Sequence, residues 1–155
     1  MSATTSPPSY DDVIASTCEV WSMMLGVDLD VLSNAPLIEG ESITAVVTVT
    51  GGWNGAVLVK AGVETALQTG AIMFASDPGE TSDEDVRDAM GEIANMIGGS
   101  LKDRVGPGHV ISIPAVTEGL AYKVYVGHAK KVHEVGFASP DGVVILSVFD
   151  VGKPT

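Results

Sequence analysis

The sequence predicts an α+β fold, in which helices pack on one face of a mostly antiparallel sheet in a single domain. Three observations support this prediction. A helical pattern is followed by strand patterns, then by two more helical segments and a second group of strands. Asn54-Gly55 stands between two strand patterns, and Asn-Gly is the strongest two-residue hairpin signal because both positions tolerate a positive φ. The length of 155 residues and the hydrophobic content of 45% suit one domain with its own core.

The first predicted helix begins at Ser9 and ends at Gly26. Ser9 and Asp12 have the spacing of a capping box, in which a hydroxyl and a carboxylate each accept a hydrogen bond from a free backbone amide. Apolar residues then recur at helical spacing. Gly26 is a typical C-cap, because glycine adopts the left-handed conformation without a steric penalty.

Short strands and a hairpin follow the first helix. Residues 28–31 alternate between acidic and apolar side chains, which predicts a short edge strand. Residues 43–50 are β-branched and alternating, and residues 56–61 form the returning strand of the hairpin. Helical spacing resumes at residues 63–74.

A longer helix and a second group of strands complete the chain. Ser82 and Asp85 repeat the capping-box spacing, and we expect the helix that they start to end near Arg104, ahead of a Gly-Pro-Gly run. Asp141-Gly142 supplies another hairpin turn. The strand patterns in this last third lie at about residues 109–116, 120–129, 134–138 and 143–149.

Composition and charge exclude several classes of function. Lys plus Arg number 8 and Asp plus Glu number 20, which gives a net charge of −12. Nucleic acids and anionic membranes bind through clustered Lys and Arg, so neither is an expected partner. Cys18 is the single cysteine, and we expect a buried, inert thiol in a reducing compartment. No apolar run reaches the ~18 residues of a membrane span. We therefore expect a soluble cytoplasmic domain at residues 10–150, with a flexible tail at 1–9 and another tail at 151–155.

The helix that starts at Ser82 carries a polar face. At about 100° per residue, Glu92 lies about 40° and Asn95 about −20° from Asp88, with Lys102 at about −40°. The apolar residues of this helix occupy the opposite arc. Asp88 and Glu92 are like charges four positions apart, which costs roughly 0.2–0.5 kcal/mol without a neighbouring cation. A solvated polar face and a binding site both explain this pattern.

Three glycines interrupt the same helix, at Gly91, Gly98 and Gly99. Each glycine costs about 1 kcal/mol relative to alanine in an exposed helix interior. A helix against which the backbone of another protein lies closely gains from such residues. Close packing within the domain itself explains them equally well.

A family resemblance rests on this helix and on the hairpin before it. Asp88-Ala-Met-Gly-Glu92-Ile-Ala-Asn95 resembles the Asp/Ser-x-x-x-Glu-x-x-Asn signature of the CheC/CheX/FliY family of CheY-phosphate phosphatases. The family pattern continues to a proline, for which Pro114 is the candidate here, at a shorter spacing than the family has. Gly51-Gly52-Trp53-Asn54-Gly55-Ala56-Val57 resembles the hairpin of the family. The resemblance covers about residues 10–150, and the presence of one signature makes the chain most similar to CheX.

The resemblance implies a fold and a catalytic mechanism. The implied fold is CheC/CheX-like, and the implied activity is hydrolysis of the aspartyl phosphate of a CheY-like response regulator. Asn95 would enter the receiver site and orient the attacking water, and Glu92 would pair with the lysine of the receiver. An amide suits the first role, because it hydrogen-bonds water without adding negative charge near the phosphoryl oxygens.

The resemblance also implies partners. Asp88, Gly91, Gly99 and Lys102 would contact the phosphorylated receiver, which would bring its own Mg²⁺, so no cofactor is expected in this chain. A homodimer that joins its sheets is implied as well. The alternating strands at 43–50 and 143–149 are candidates for the edge that pairs across a two-fold axis.

Other chemistries have little support in the sequence. His109, His128 and His133 lack the spacing of metal ligands, and we expect them to be capping or surface residues. Three interpretations therefore remain: a phosphatase, a module of the same fold that binds or sequesters a phosphorylated receiver without hydrolysis, and a structural dimer whose polar helix face is simply hydrated.

Overall fold

The structure is a computed structural model and describes residues 6–119 and 129–152. Within these residues three α-helices and seven strands are present. The helices are α1 (Tyr10–Leu25), α2 (Val63–Met73) and α3 (Asp83–Val105), and a 3-10 turn (Pro78–Glu80) lies between the last two. The strands are β1 (Asp30–Val31), β2 (Ser42–Thr50), β3 (Gly55–Gly62), β4 (Val110–Ile111), β5 (Ala115–Gly119), β6 (Lys130–Ser139) and β7 (Gly142–Asp150).

All seven strands belong to one antiparallel sheet. The strand order is β1-β6-β7-β3-β2-β4, and β5 also pairs with β2. Alternate apolar residues of the central strands point to one face, where they are buried under the helices; examples are Val47 on β2, Val57 on β3 and Leu146 on β7. This arrangement confirms the α+β prediction and the placement of helices on one face.

Local sequence signals explain where the helices begin. The Ser9 hydroxyl accepts a hydrogen bond from the Asp12 amide, and the Asp12 carboxylate accepts one from the Ser9 amide, both at 3.0 Å. The predicted capping box is therefore confirmed for α1. For α3 only half of the box forms, because Ser82 Oγ accepts from the Asp85 amide at 3.0 Å without the reciprocal bond.

The hairpin between β2 and β3 is confirmed, and Asn54 lies in its connection as predicted. β2 ends at Thr50 and β3 begins at Gly55, so four residues form the connection. Asn54 Oδ1 accepts a hydrogen bond from the Gly51 amide at 3.2 Å and closes this loop. Gly55 is required for a different reason, since a Cβ there would overlap the Trp53 ring.

The strand predicted at 109–116 is wrong as a single element. Val49 of β2 pairs with Ile111, whereas Val46 pairs with Ala115, so two residues oppose one on the partner strand. This one-residue offset is a β-bulge, which disrupts the ladder and re-aims side chains. Ile113 and Pro114 occupy it, and proline suits the position because it has no amide to donate to the ladder. The strand predicted at 120–129 lies almost entirely outside the described residues.

The edges of the sheet also differ from the prediction. β2 lies between β3 and the β4–β5 segment, and β7 lies between β3 and β6. Residues 43–50 and 143–149 are therefore internal, and neither segment exposes an edge for pairing with a second copy. Alternation predicted strands correctly but did not distinguish a central strand from an edge strand.

The residues just before and at the start of α1 pack against β6. Pro8 is buried, and its carbonyl accepts a hydrogen bond from His133 Nε2 at 2.8 Å. The ring of Tyr10 packs edge-to-face against the His133 ring, with a centroid separation of 6.3 Å. β6 thus supplies a partner for residue 8. Residues 1–5 lie outside the described part of the chain, and the tail at residues 1–9 stays a prediction.

Candidate functional site

The candidate site is one face of α3, called the site face below and defined by Asp88, Glu92 and Asn95. Asp88 and Glu92 are exposed on it, and Asn95 is half-buried. Among residues 6–119 and 129–152, none of these three side chains has a hydrogen bond or an ion pair. The structure therefore brings together the three residues that the sequence placed on one face, and it leaves their polar atoms available to a partner.

The opposite face of α3 holds the helix firmly on the sheet. Its apolar side chains are almost completely buried, namely Ala89, Met90, Ile93, Ala94, Ile97 and Leu101. Two α1–α3 contacts reinforce this packing: Arg104 Nε donates to Ser16 Oγ at 2.9 Å, and Arg104 lies 3.3 Å from Glu19. A site on a helix packed this way is held in a fixed position relative to the core.

Two of the three helix glycines pack within the domain. A Cβ on Gly98 would lie 2.7 Å from Val47 Cγ2, a distance that side chains essentially never adopt. A Cβ on Gly91 would meet Val116 at 3.5 Å and Pro114 at 3.7 Å. Gly99 has nothing within 4 Å of the equivalent position. Packing thus accounts for Gly98 alone, since the distances at Gly91 are ordinary van der Waals contacts; the role of Gly91 and Gly99 in partner binding stays a prediction.

Pro114 approaches α3 from the edge of the sheet. Its side chain lies 3.7 Å from the point that a Cβ on Gly91 would occupy, and Gly91 directly precedes Glu92. The spacing from Asn95 is short in sequence, but the bulge at Ile113 and Pro114 still brings the proline to the helix.

Charged neighbours of the site are paired with each other. Lys102 Nζ lies 3.2 Å from Asp103 Oδ1, and the Arg87 guanidinium lies 2.9 Å from Glu118 on β5. Neither cation pairs with Asp88 or Glu92. In the described part of the chain, the negative charge of these two carboxylates is therefore not neutralised by an ion pair.

Sequence reasoning missed the role of His109. We expected a capping or surface residue, but His109 is buried, and its Nε2 accepts a hydrogen bond from the Trp53 amide at 3.0 Å. The other nitrogen, Nδ1, then carries the proton and donates to the Gly106 carbonyl at 2.8 Å. His109 joins the β2–β3 hairpin to the C-terminal end of α3. No local pattern predicts this, because its two partners belong to different elements.

The other candidate groups do not form a second site. Cys18 is half-buried, not fully buried as expected, and its pKa is raised by desolvation and then by the nearby Asp28 and Asp30 carboxylates. In residues 6–119 and 129–152, no three His, Cys, Asp or Glu side chains are grouped closely enough to hold a metal ion. No helix in the same residues is both long and apolar enough to cross a membrane. His128 lies outside the described residues.

A comparison with known protein families finds one match. The model of the family described as chemotaxis phosphatase CheX matches residues 43–138, which include the hairpin and α3. No curated protein matches the sequence significantly.

Solved structures share the fold. CheX from Vibrio vulnificus is 21% identical with a TM-score of 0.75, covering 96% of this chain and 99% of its own. CheX from Desulfovibrio desulfuricans is 21% identical with a TM-score of 0.73, covering 90% and 97%. The matching chain in a CheX–CheY–BeF3–Mg²⁺ complex from Borrelia burgdorferi is 19% identical with a TM-score of 0.72, covering 94% and 98%. At these identities the likeness establishes the fold.

Proposed function

Because the chain belongs to the CheX family of chemotaxis phosphatases, we propose that it hydrolyses the aspartyl phosphate of a CheY-like receiver domain. The observation that carries the proposal is the pair Glu92 and Asn95. Both side chains stand on one side of a firmly packed helix, and neither has a hydrogen-bond partner in the described part of the chain. A receiver is a fitting partner because the complex from Borrelia burgdorferi contains a CheX and a CheY.

Asn95 is the proposed catalytic residue. Water attacks the phosphorus, the bond to the aspartyl oxygen breaks, and the products are the aspartate of the receiver and inorganic phosphate. Phosphoryl transfer depends mainly on positioning and electrostatics, so a single group that orients the water in line contributes much of the acceleration. The amide of Asn95 accepts a hydrogen bond from this water and adds no negative charge beside the phosphoryl oxygens.

Glu92 is the proposed register residue. It lies three positions before Asn95, so the two side chains emerge on the same side of α3. Its carboxylate would pair with the lysine of the receiver and fix the position of Asn95 over the phosphoryl group. Asp88, one turn further back, would contact the edge of the receiver.

The remaining contacts follow from the same docking. Gly99 would allow close approach of the receiver backbone, and Lys102 would supply the cation at the C-terminal end of the face. Gly91 would contribute through its backbone. The Mg²⁺ is proposed to belong to the receiver, where it supplies charge stabilisation for the phosphoryl oxygens.

Two further properties belong to the proposal. The chain would act as a homodimer in the cytoplasm, where its phosphorylated partner resides.

The lifetime of a phosphorylated CheY-like receiver from the same genome tests the proposal. We expect the native chain to shorten it in the presence of Mg²⁺ and the Asn95→Ala variant to lose about 100-fold of the acceleration. Asn34→Ala is the matched control, because Asn34 is an exposed amide on the loop before β2.

Two outcomes would contradict parts of the proposal. If the Asn95→Ala variant accelerated phosphate release as much as the native chain does, Asn95 would not orient the water. Binding of the phosphorylated receiver by the native chain without faster phosphate release would favour the second candidate, a module that binds or sequesters the receiver, because docking and catalysis use the same helix face.

A further inference from the structure

Ile113 is the most exposed of the large apolar residues in the described part of the chain, at 90%. Single exposed apolar side chains are normal on protein surfaces and need no explanation by themselves. Three further observations distinguish Ile113 from such a residue: its backbone is fixed, the bulge turns it outward, and its backbone runs beside α3.

The backbone on both sides of Ile113 is held in place. The Ser112 amide donates to the Thr48 carbonyl at 2.9 Å, and the Thr48 amide donates to Ser112 Oγ at 2.9 Å. On the other side, Pro114 packs against α3, 3.7 Å from where a Cβ on Gly91 would lie. Ile113 is thus presented at a defined position, and little backbone entropy would be lost when a partner covers it.

The β-bulge is the reason that Ile113 faces solvent. Ile111 points toward the helices, since its Cγ2 lies 3.8 Å from the point that a Cβ on Gly98 would occupy. In an unbroken strand residue 113 would point to the same side, because side chains two positions apart share a face. The bulge shifts this alternation by one residue, so that Pro114 packs against α3 in its place. Ile113, which a regular strand would point toward the core, therefore points to solvent.

The backbone of Ile113 runs beside α3. Along α3, Gly91 meets Pro114 and Gly98 meets Ile111, so the edge segment runs antiparallel to the helix. Asn95 lies between these two glycines on the helix, and Ile113 lies between the two contact residues on the edge segment. The backbone of Ile113 therefore lies alongside the stretch of helix that carries Asn95.

We propose that Ile113 is a docking residue for the receiver and contacts an apolar side chain beside the phosphorylation pocket of that domain; this inference rests on the proposed phosphatase function. The site face itself bears Asp88 and Glu92 without a pairing cation in the described residues, and charged groups are costly to desolvate. Protein interfaces gain affinity from a few buried apolar anchors among polar contacts. Ile113 would supply such an anchor, from an edge segment that packs beside the helix carrying the site face.

The test compares Ile113→Ser with Leu37→Ser, which removes an equally exposed side chain (87%) from the loop before β2. We expect Ile113→Ser to raise the receiver concentration for half-maximal dephosphorylation about ten-fold at unchanged kcat, because a buried isoleucine contributes that much or more. Leu37→Ser and the conservative Ile113→Met variant should stay near the native value. We expect both serine variants to melt at the temperature of the native chain, since both side chains are exposed.

The outcomes separate this inference from the proposed function. An unchanged half-maximal concentration for Ile113→Ser, with native turnover intact, overturns the docking role and leaves the phosphatase standing. A fall in kcat alone overturns it as well, because it indicates positioning of the site. If sedimentation shows that Ile113→Ser separates a native dimer, the residue contacts a second copy and the inference is wrong. Absence of both binding and turnover by the native chain overturns both proposals together.

Discussion

Asn95 is a residue whose chemical identity, more than its size, should decide activity. Asn95→Asp preserves the shape of the side chain but places a carboxylate beside the phosphoryl oxygens, where like charges repel. We expect this variant to lose at least as much acceleration as Asn95→Ala, about 100-fold. Phosphate release from the labelled receiver measures the difference, and near-native activity of Asn95→Asp would show that the amide is not needed.

Cys18 makes a second prediction at the scale of one residue. Burial, followed by the nearby Asp28 and Asp30 carboxylates, raises the pKa of its thiol. Because the raised value belongs to the folded state, the stabilising contribution is complete below the pKa of the unfolded thiol and is lost as the pH rises through the folded pKa.

The rate of alkylation by iodoacetamide reports the raised pKa of Cys18, because the thiolate is the reacting species. At about pH 9 we expect Cys18 to react more slowly in the folded chain than in urea. Cys18→Ser provides the blank. Equal rates in the two states would contradict a raised pKa.

At the scale of the element, the neighbouring glycines Gly98 and Gly99 of α3 can be compared, because one is enclosed and the other is not. A Cβ on Gly98 would lie 2.7 Å from Val47 Cγ2, whereas a Cβ on Gly99 would meet nothing within 4 Å. We expect Gly98→Ala to destabilise the fold by about 1–3 kcal/mol, because Val47 is fully buried and has little room to move. Gly99→Ala should be neutral or stabilising by up to about 1 kcal/mol.

Urea unfolding of the two variants measures both free energies. The same proteins also test docking, since Gly99 is proposed to face the partner and Gly98 packs on the sheet. If Gly99→Ala is stable and weakens receiver binding, its role is in the interface. If Gly99→Ala binds as the native chain does, the predicted partner contact is wrong.

Elements differ in how much of them local sequence predicts. The N-caps of α1 and α3 depend on residues three positions apart, and both Ser9 and Ser82 form their predicted bonds. The β-bulge depends on the pairing of Ile113 and Pro114 against β2, far earlier in the chain. A single-strand pattern contains no information on such an offset, so the prediction of one strand at 109–116 was wrong.

The net charge makes a prediction for the whole molecule. A chain of net charge −12 repels itself when it is compact, and the surface ion pairs in the described residues contribute at most about 1 kcal/mol each. Raising the salt from about 20 mM to about 300 mM shortens the screening length and weakens the repulsion. We expect the urea midpoint to rise with NaCl, and a falling midpoint would show that ion pairs outweigh the net charge.

The arrangement of the whole sheet was not accessible from local patterns. Residues 43–50 and 143–149 were correctly predicted as strands, but both lie inside the sheet. Their position follows from the pairings of β3 with β2 and β7, the second of which joins segments far apart in the chain. Any dimer contact made through sheet edges must therefore use other strands.

Local sequence patterns were sufficient to predict the three helices, most of the strands, the polar face of α3 and the family resemblance. The wheel of α3 placed Asp88, Glu92 and Asn95 together because helix geometry is the same in every protein. Tertiary packing decided which of the helix glycines are enclosed, how His109 joins the hairpin to α3, and where Ile113 points. These features depend on contacts between residues that are distant in the chain, and only the folded protein brings such residues within van der Waals distance.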